Sequence, residues 1–283
     1  MGVLLTIGCL LIAFGPPLSI FVIVIARDPL RIILFVLGAF FWLLSLLFSS
    51  LLWFAVVPLR NQLVFGLVFS VAFQEIFRFL YFFLLKKAQK GLEKVSANGL
   101  NIAGVHSLKD AKHTIAMVSG LGFGVMSGLF SVVNVAADSI GPGVPGFPAA
   151  VHVRNATVLH AGHGDYLFFV ISSLLALPMV LLQMSWTVIF WNGCNLMSVR
   201  RLWWLYPLAV LLSHYLVSCL SLLNRSKKYE ISLTFTYVSL LVMLMGAYVV
   251  AGGSCGRIGL LFVKRPAEPV TDSSGASPRE LVT

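Results

Sequence analysis

The run RIILFVLGAFFWLLSLLFSSLLWFAVV occupies residues 31–57 and contains one charged residue, Arg31, at its first position. About 20 apolar residues in a helix suffice to cross the hydrocarbon core of a bilayer, because each residue adds about 1.5 Å along the axis. The run exceeds that length, so it predicts a transmembrane helix and, with it, an integral membrane protein.

Six further apolar runs flank this one along the chain. Together they predict seven membrane spans, at residues 3–26, 31–57, 63–85, 114–137, 165–191, 202–223 and 231–256. We therefore predict an all-α fold, a polytopic seven-helix bundle that covers residues 1–264. The remaining segment, 265–283, is rich in Pro, Ser, Glu and Asp and has no apolar period, which predicts a disordered tail.

The overall composition agrees with a lipid environment. Of the 283 residues, 59% are hydrophobic and 11% are charged, and the mean hydropathy is +0.95. A soluble domain carries about 25% charged residues, so this chain has too few to cover a water-exposed surface. The net charge of +10 does not indicate a nucleic-acid partner, because the basic residues lie in short loops between apolar runs.

The distribution of Lys and Arg predicts the orientation of the bundle, since cytosolic loops carry the excess of positive charge. An N-terminus on the lumenal or extracellular side, with a cytosolic C-terminus, gives the larger cytosolic share. The cytosolic loops and tail then hold Arg27, Arg31, Lys86, Lys87, Lys90, Lys94, Lys109, Lys112, Arg200, Arg201, Arg257, Lys264, Arg265 and Arg279, against Arg60, Arg154, Arg225, Lys227 and Lys228 on the lumenal side.

A candidate glycosylation site supports this orientation. The triplet Asn155-Ala156-Thr157 is an acceptor sequence in the long loop 138–164, which the predicted topology places in the lumen. We therefore expect Asn155 to be accessible to N-glycosylation.

Three glycines mark one face of the fourth span. Gly120, Gly124 and Gly128 follow each other at intervals of four, so they lie on the same side of a helix. Close helix packing through small residues stabilises membrane bundles, where lipid is as apolar as the side chains. The stripe predicts either packing among the protein's own helices or a docking face for another subunit.

Polar side chains inside the spans are the other candidate site residues. Gln74, Glu75 and Arg78 lie in the third span, Gln183 in the fifth, and His214 near the middle of the sixth. Glu75 and Arg78 are three residues apart and can pair on one helix face. The group predicts either buried hydrogen bonding that fixes helix packing and assembly, or a polar path for ions or protons through Glu75, Arg78 and His214.

Catalytic chemistry is not predicted. Gly162-His163-Gly164-Asp165 has the GxGD pattern of intramembrane aspartyl proteases, but that reaction needs two carboxylates in one site, and the other aspartates lie at span ends, in loops or in the tail. Ser127 before Gly128 lacks the first glycine of the rhomboid GxSG pattern. The four cysteines have no metal-binding spacing, so we expect no catalytic residue, no metal and no cofactor.

Several motifs, in order, resemble one known family. They are Ala13-Phe14-Gly15-Pro16, Asp28-Pro29-Leu30-Arg31, Gly38-Ala39-Phe40-Phe41-Trp42-Leu43, Gln74-Glu75-Ile76-Phe77-Arg78-Phe79, Leu84-Leu85-Lys86-Lys87-Ala88, Val118-Ser119-Gly120 through Gly128 to Asn134, Gly141-Pro142-Gly143 and Ala251-Gly252-Gly253-Ser254. Over residues 1–260 the chain thus resembles the anterior-pharynx-defective family, the multi-span scaffold subunit of gamma-secretase.

The resemblance implies a seven-span, non-catalytic subunit that assembles with nicastrin, presenilin and the small presenilin-enhancer subunit in the membranes of the endoplasmic reticulum, Golgi and cell surface. The complex would cleave type I membrane proteins such as Notch-like receptors and amyloid-precursor-like proteins. In the family the glycine triad supports assembly, which carries over to Gly120, Gly124 and Gly128. A pair of span histidines also matters, and His214 matches the second.

The chain departs from the family pattern at two places. Gln183 stands where the family has its first span histidine, and an amide can form hydrogen bonds but cannot titrate, which favours a packing role for the pair. The lumenal loop is also longer than the family norm, with residues 147–162 as the extra segment.

Overall fold

The computed structural model describes residues 3–56, 62–97, 112–140, 166–226 and 229–253. Its helices are α1 (Val3–Ile20), α2 (Pro29–Ala55), α3 (Leu63–Ala97), α4 (Lys112–Ile140), α5 (Tyr166–Asn195), α6 (Leu205–Ser221) and α7 (Tyr229–Val250). A π-helical turn, Phe21–Ile25, extends α1, and a 3₁₀ turn, Leu222–Ser226, extends α6. Within these described ranges there is no β-strand.

The tight turn between α1 and α2 is built from a short motif. The Asp28 side chain accepts a hydrogen bond from the Leu30 backbone N–H at 3.0 Å, and Pro29 occupies the first turn of α2, where a missing N–H costs nothing. Arg31 lies 3.1 Å from Asp28 and donates to the carbonyl of Val24 at 2.7 Å. These contacts hold the end of α1 against the beginning of α2.

Helix α5 lies at the centre of the bundle. Its most apolar 18-residue window is 72% buried, against 56% for α4 and a third or less for each of the others. It contacts α4 most extensively, and also α1, α3, α6 and α7, while α4 lies between α5 and α2. The peripheral helices therefore expose large apolar side chains, as expected of surfaces in contact with lipid or with other membrane proteins.

The predicted fold class is confirmed: the described chain is helical, and seven helices are long and apolar enough to cross a membrane. The largest difference in bounds is in α3, predicted as a span that ends at 85 but helical to Ala97. Its extra turns contain Lys86, Lys87, Lys90 and Lys94. Straight-chain residues of this type favour the helical conformation, so the helix continues after the apolar run has ended.

The last helix ends earlier than its predicted span, 231–256. Gly252 has φ of 95°, a left-handed conformation that glycine adopts without strain, and its N–H donates to the Val249 carbonyl at 3.0 Å. The Gly253 N–H donates to the Tyr248 carbonyl at 2.9 Å. This pair of bonds caps α7 and stops it. Asn155, the segment 147–162 and the tail 265–283 lie outside the described residues.

Candidate functional site

The glycine stripe of α4 faces α5. A Cβ atom added to Gly120 would lie 2.7 Å from the Cβ of Thr187, and one added to Gly124 would lie 3.1 Å from the Cβ of Gln183 and closer still to a backbone carbonyl of α5. At Gly128 it would lie 2.5 Å from a methyl group of Val180. The two backbones approach so closely here that no larger residue fits without a shift.

A second close approach lies on another face of α4. A Cβ atom on Gly122 would clash with the backbone carbonyl of Phe35, and one on Gly38 would clash with the carbonyl of Ser119. Helix α4 thus contacts the backbone of α5 through its glycine stripe, and it meets the backbone of α2 through its own Gly122 and through Gly38 of α2. Tyr81 of α3 closes this region, because its hydroxyl donates to the Leu34 carbonyl at 2.7 Å and lies 2.9 Å from the hydroxyl of Ser119.

The polar residues of α3 meet those of α5 and α6 in one buried network. Glu75 lies at its centre: one carboxylate oxygen is 2.7 Å from Nδ1 of His214, and the other is 3.1 Å from Nε of Arg78. An ionised carboxylate only accepts hydrogen bonds, so with Glu75 ionised Nδ1 of His214 carries the proton. Glu75 thereby links α3 to α6.

Arg78 links α3 to α5. Its Nη1 donates to the backbone carbonyl of Gln183 at 3.0 Å and to the Thr187 hydroxyl at 2.6 Å, and its Nη2 donates to Oε1 of Gln183. The guanidinium carbon also lies 4.8 Å from the ring centre of Phe123 of α4, in a cation–π arrangement. One side chain therefore contacts two helices other than its own.

The network extends outward through amides and indoles. Nε2 of Gln183 donates to Oε1 of Gln74 at 3.1 Å, and the same oxygen accepts from the Trp42 indole at 3.3 Å. On the other side Trp186 stacks on the His214 ring with 4.3 Å between ring centres, and its indole donates to the hydroxyl of Ser213 at 2.9 Å. Five helices, α2 to α6, thus contribute to one connected group.

The network is deeply buried and its charges are matched. Glu75 is 6% exposed, Arg78 0%, Gln183 0% and His214 1%. Oε2 of Glu75 and Nε of Arg78 have no other hydrogen-bond partner among the described residues, so each depends on this ion pair. Breaking such a pair leaves an uncompensated buried charge, which is far more costly than the pair itself is favourable. The arrangement fixes the relative positions of helices.

The structure brings together Glu75, Arg78, Gln183 and His214, which the sequence placed on three separate spans. It also joins them to the glycine stripe, because Gly120 and Gly124 contact Thr187 and Gln183, the residues that hold Arg78. Sequence reasoning missed Thr187, Gly122 and Gly38. Gly38 had a usable signal, as the single glycine in the apolar run 31–57. Among the described residues, no group of His, Cys, Asp and Glu side chains is suited to hold a metal ion.

Comparison with known proteins agrees with this architecture. The family model described as "Aph-1 protein" matches residues 4–254. Among curated proteins, the chain is 42% identical over 270 residues to "Gamma-secretase subunit Aph-1b" of Danio rerio, covering 92% of this chain and 93% of the relative. It is 42% identical over 247 residues to "Gamma-secretase subunit Aph-1" of Drosophila melanogaster, covering 87% and 92%.

A human relative is similar to the same degree. The chain is 41% identical over 263 residues to "Gamma-secretase subunit APH-1B" of Homo sapiens, covering 89% of this chain and 91% of the relative. The family-model match over residues 4–254 includes all seven candidate membrane spans of the described chain. From this family-model match and the identity of about 40% to these relatives, the chain belongs to the Aph-1 family.

Proposed function

We propose that this chain is a non-catalytic subunit of gamma-secretase, whose role is to hold the catalytic subunit in an assembled membrane complex. The observation that carries the proposal is the similarity of about 40% identity, over nearly the whole chain, to proteins named as gamma-secretase subunits. The partners would be presenilin, nicastrin and the presenilin-enhancer subunit. The substrates of the complex would be type I membrane proteins such as Notch-like receptors.

The buried groups support a scaffold role. The Glu75–Arg78–His214 network and the glycine contacts of α4 both lie inside the bundle, where they set helix positions. We infer that Gly120, Gly124 and Gly128 affect assembly indirectly, by keeping α4 and α5 together. Partner subunits would then contact the peripheral helices, of which α1 and α7 are each only 17% buried over their apolar windows.

The proposed orientation places the N-terminus in the lumen and the Lys/Arg-rich connections in the cytosol. The turn after α1, the extension of α3 and the connection between α5 and α6 carry most of the described basic residues, and they lie at one end of an alternating bundle. The protein would be made in the endoplasmic reticulum and would reach the Golgi and the cell surface within the complex.

Co-purification tests the proposal most directly. The tagged full-length chain, extracted in a mild detergent from its own cells, should recover presenilin, nicastrin and the presenilin-enhancer subunit in comparable amounts by mass spectrometry. Recovery of none of these proteins under conditions that preserve other membrane complexes would contradict it.

A matched pair of variants tests the role of the glycine stripe. Gly124→Leu places a side chain against the backbone of α5 and should reduce recovery of the partners about tenfold or more. Gly91→Leu is the control, because a Cβ atom at Gly91, on the extension of α3, meets nothing within 4 Å. Equal recovery with the two variants would show that the α4–α5 contact is not needed for assembly.

A further inference from the structure

A groove lies at the junction of α5 and α6, apart from the buried network. It has a volume of about 420 Å³ and is lined by Ile189, Arg200, Leu202, Leu205, Tyr206 and Ala209. Its walls are mainly apolar, and Arg200 is the one charged residue among the described residues that line it. A volume of this size is within the range of small-ligand sites, and it corresponds to about a single turn of a helix. It therefore suits a narrow apolar chain better than a whole transmembrane helix.

The shape of the groove is fixed by a close contact between the two helices. A Cβ atom on Gly193 would lie 2.6 Å from the Cβ of Tyr206 and 2.8 Å from the Cδ of Pro207, so the end of α5 packs directly on the beginning of α6. The connection between them is tightly turned, with the Arg200 N–H donating to the Leu196 carbonyl at 2.9 Å. The groove is therefore part of the folded bundle.

Arg200 has no counter-charge among the residues that the structure describes. It is exposed, and within the described ranges it forms neither an ion pair nor a side-chain hydrogen bond. It belongs to the basic end of the bundle, where the described basic residues are Arg27, Arg31, Lys86, Lys87, Lys90, Lys94, Lys112, Arg200 and Arg201. Trp203 and Trp204 follow it, and tryptophans of this kind lie at the depth of the lipid headgroups.

We propose that this groove binds one anionic phospholipid. Arg200 contacts the phosphate and acidic part of the headgroup, and the first part of one acyl chain lies between α5 and α6 against Ile189 and Ala209. The charge of the site selects an anionic lipid, which is enriched in the cytosolic leaflet, and the orientation proposed above places the groove in that leaflet. Only this last step rests on the proposed function.

The test is lipid retention by the purified full-length chain. The protein is exchanged into micelles with equal amounts of phosphatidylserine and phosphatidylcholine of matched acyl chains, and bound lipid is counted by native mass spectrometry. The unmodified chain should retain one phosphatidylserine at least about fivefold more often than one phosphatidylcholine. Because micelles have no sides, this result does not depend on the topology or on the partners.

Two pairs of variants locate the lipid. Arg200→Ala should lower phosphatidylserine retention about fivefold, whereas Arg201→Ala, which removes the same charge from a residue outside the lining, should change it less than twofold. Ala209→Trp should fill the groove and abolish retention. Leu212→Trp is its control, because Leu212 is 61% exposed on the same helix and does not line the groove.

Four results of these retention experiments would overturn the proposal. They are equal retention of the two lipids, equal losses with Arg200→Ala and Arg201→Ala, unchanged retention with Ala209→Trp, and displacement of the lipid by millimolar inorganic phosphate, which would indicate a site for a free anion. Absence of the lipid from the co-purified complex would also overturn it, because another subunit would then occupy the groove. Failure of co-purification alone would contradict the proposed function and leave the lipid site standing.

Discussion

Arg78 of α3 contacts both α4 and α5 and is the counter-charge of Glu75, so its loss should be the most costly in the buried network. Arg78→Met keeps an unbranched side chain of similar length but leaves Glu75, which is 6% exposed, without its counter-charge. We expect a loss of about 3–5 kcal/mol in the free energy of unfolding. Titration of the purified chain with a denaturing detergent in mixed micelles measures it, with Lys87→Met, at an exposed position on the same helix, as the control.

A second substitution distinguishes two causes of the stability loss in Arg78→Met, the unpaired charge of Glu75 and the lost packing of Arg78. Glu75→Gln added to Arg78→Met removes the unpaired charge, so the double variant should be more stable than Arg78→Met alone. A double variant that is less stable by the sum of both single losses would show that the two residues act independently.

Gln183 is the residue that joins the network to the glycine stripe. Gln183→Leu removes both the acceptor for Nη2 of Arg78 and the donor for Gln74, and it should cost about 1–3 kcal/mol in the same titration. Ser185→Ala is the matched control, because the Ser185 hydroxyl is fully buried but donates within its own helix, to Leu181. Equal losses for the two variants would contradict a bridging role for Gln183.

At the scale of single residues, the sequence identified most members of the buried network but not the contacts between residues on different helices. Ionisable groups in a span are costly enough to stand out, which is why Glu75, Arg78 and His214 were identified. Glu75 and Arg78 share one helix, so their pairing follows from spacing. The contact of Glu75 with His214 joins residues 139 positions apart, and no local pattern specifies it. Thr187 was missed because a hydroxyl in a membrane helix usually bonds to its own backbone.

At the scale of helices, the contact between α2 and α4 predicts that a Gly→Ala substitution lowers the stability of the protein, which is the opposite of the usual effect inside a helix. Gly→Ala inside a helix normally stabilises it by about 0.5–1 kcal/mol. Gly122→Ala should instead destabilise the protein by about 1–3 kcal/mol, because the new methyl group meets the Phe35 carbonyl, which belongs to rigid backbone. Gly8→Ala, where the added atom meets nothing, should be neutral or slightly stabilising. Stabilisation by Gly122→Ala would show that α2 and α4 are further apart than described.

The ends of the apolar spans could be predicted from the sequence, whereas the end of a helix that continues beyond its apolar span could not be predicted as well. Apolar length alone located seven spans, because a bilayer imposes a minimum length on every one of them. The extension of α3 beyond residue 85 depends on helix propensity, which is a weaker signal than hydropathy. Which face of a span packs on which neighbour depends on the whole bundle, so the stripe of Gly120, Gly124 and Gly128 indicated close packing without naming α5 as the partner.

The orientation of the whole molecule is best tested at the loop between α4 and α5. This loop joins the end of α4, at Ile140, to the beginning of α5, at Tyr166, and these two helix ends are opposite to those that the basic connections after α1, α3 and α5 join. If the basic end is cytosolic, the loop is lumenal and Asn155 meets the glycosylation machinery. Peptide N-glycosidase should then increase the gel mobility of the natural chain and leave Asn155→Gln unchanged.

An added acceptor sequence on the other side completes the test. Ala103→Thr turns Asn101-Ile102-Ala103, between α3 and α4, into a glycosylation sequence. In the Asn155→Gln background this site should stay unmodified, because the proposed orientation keeps it in the cytosol, away from the transferase. The positive charge of the neighbouring α3 extension opposes its translocation, so the two loops should differ completely rather than by degree. A glycan at Asn101 would show that the orientation is the reverse of the proposed one, and the proposed lipid groove would then lie in the lumenal leaflet.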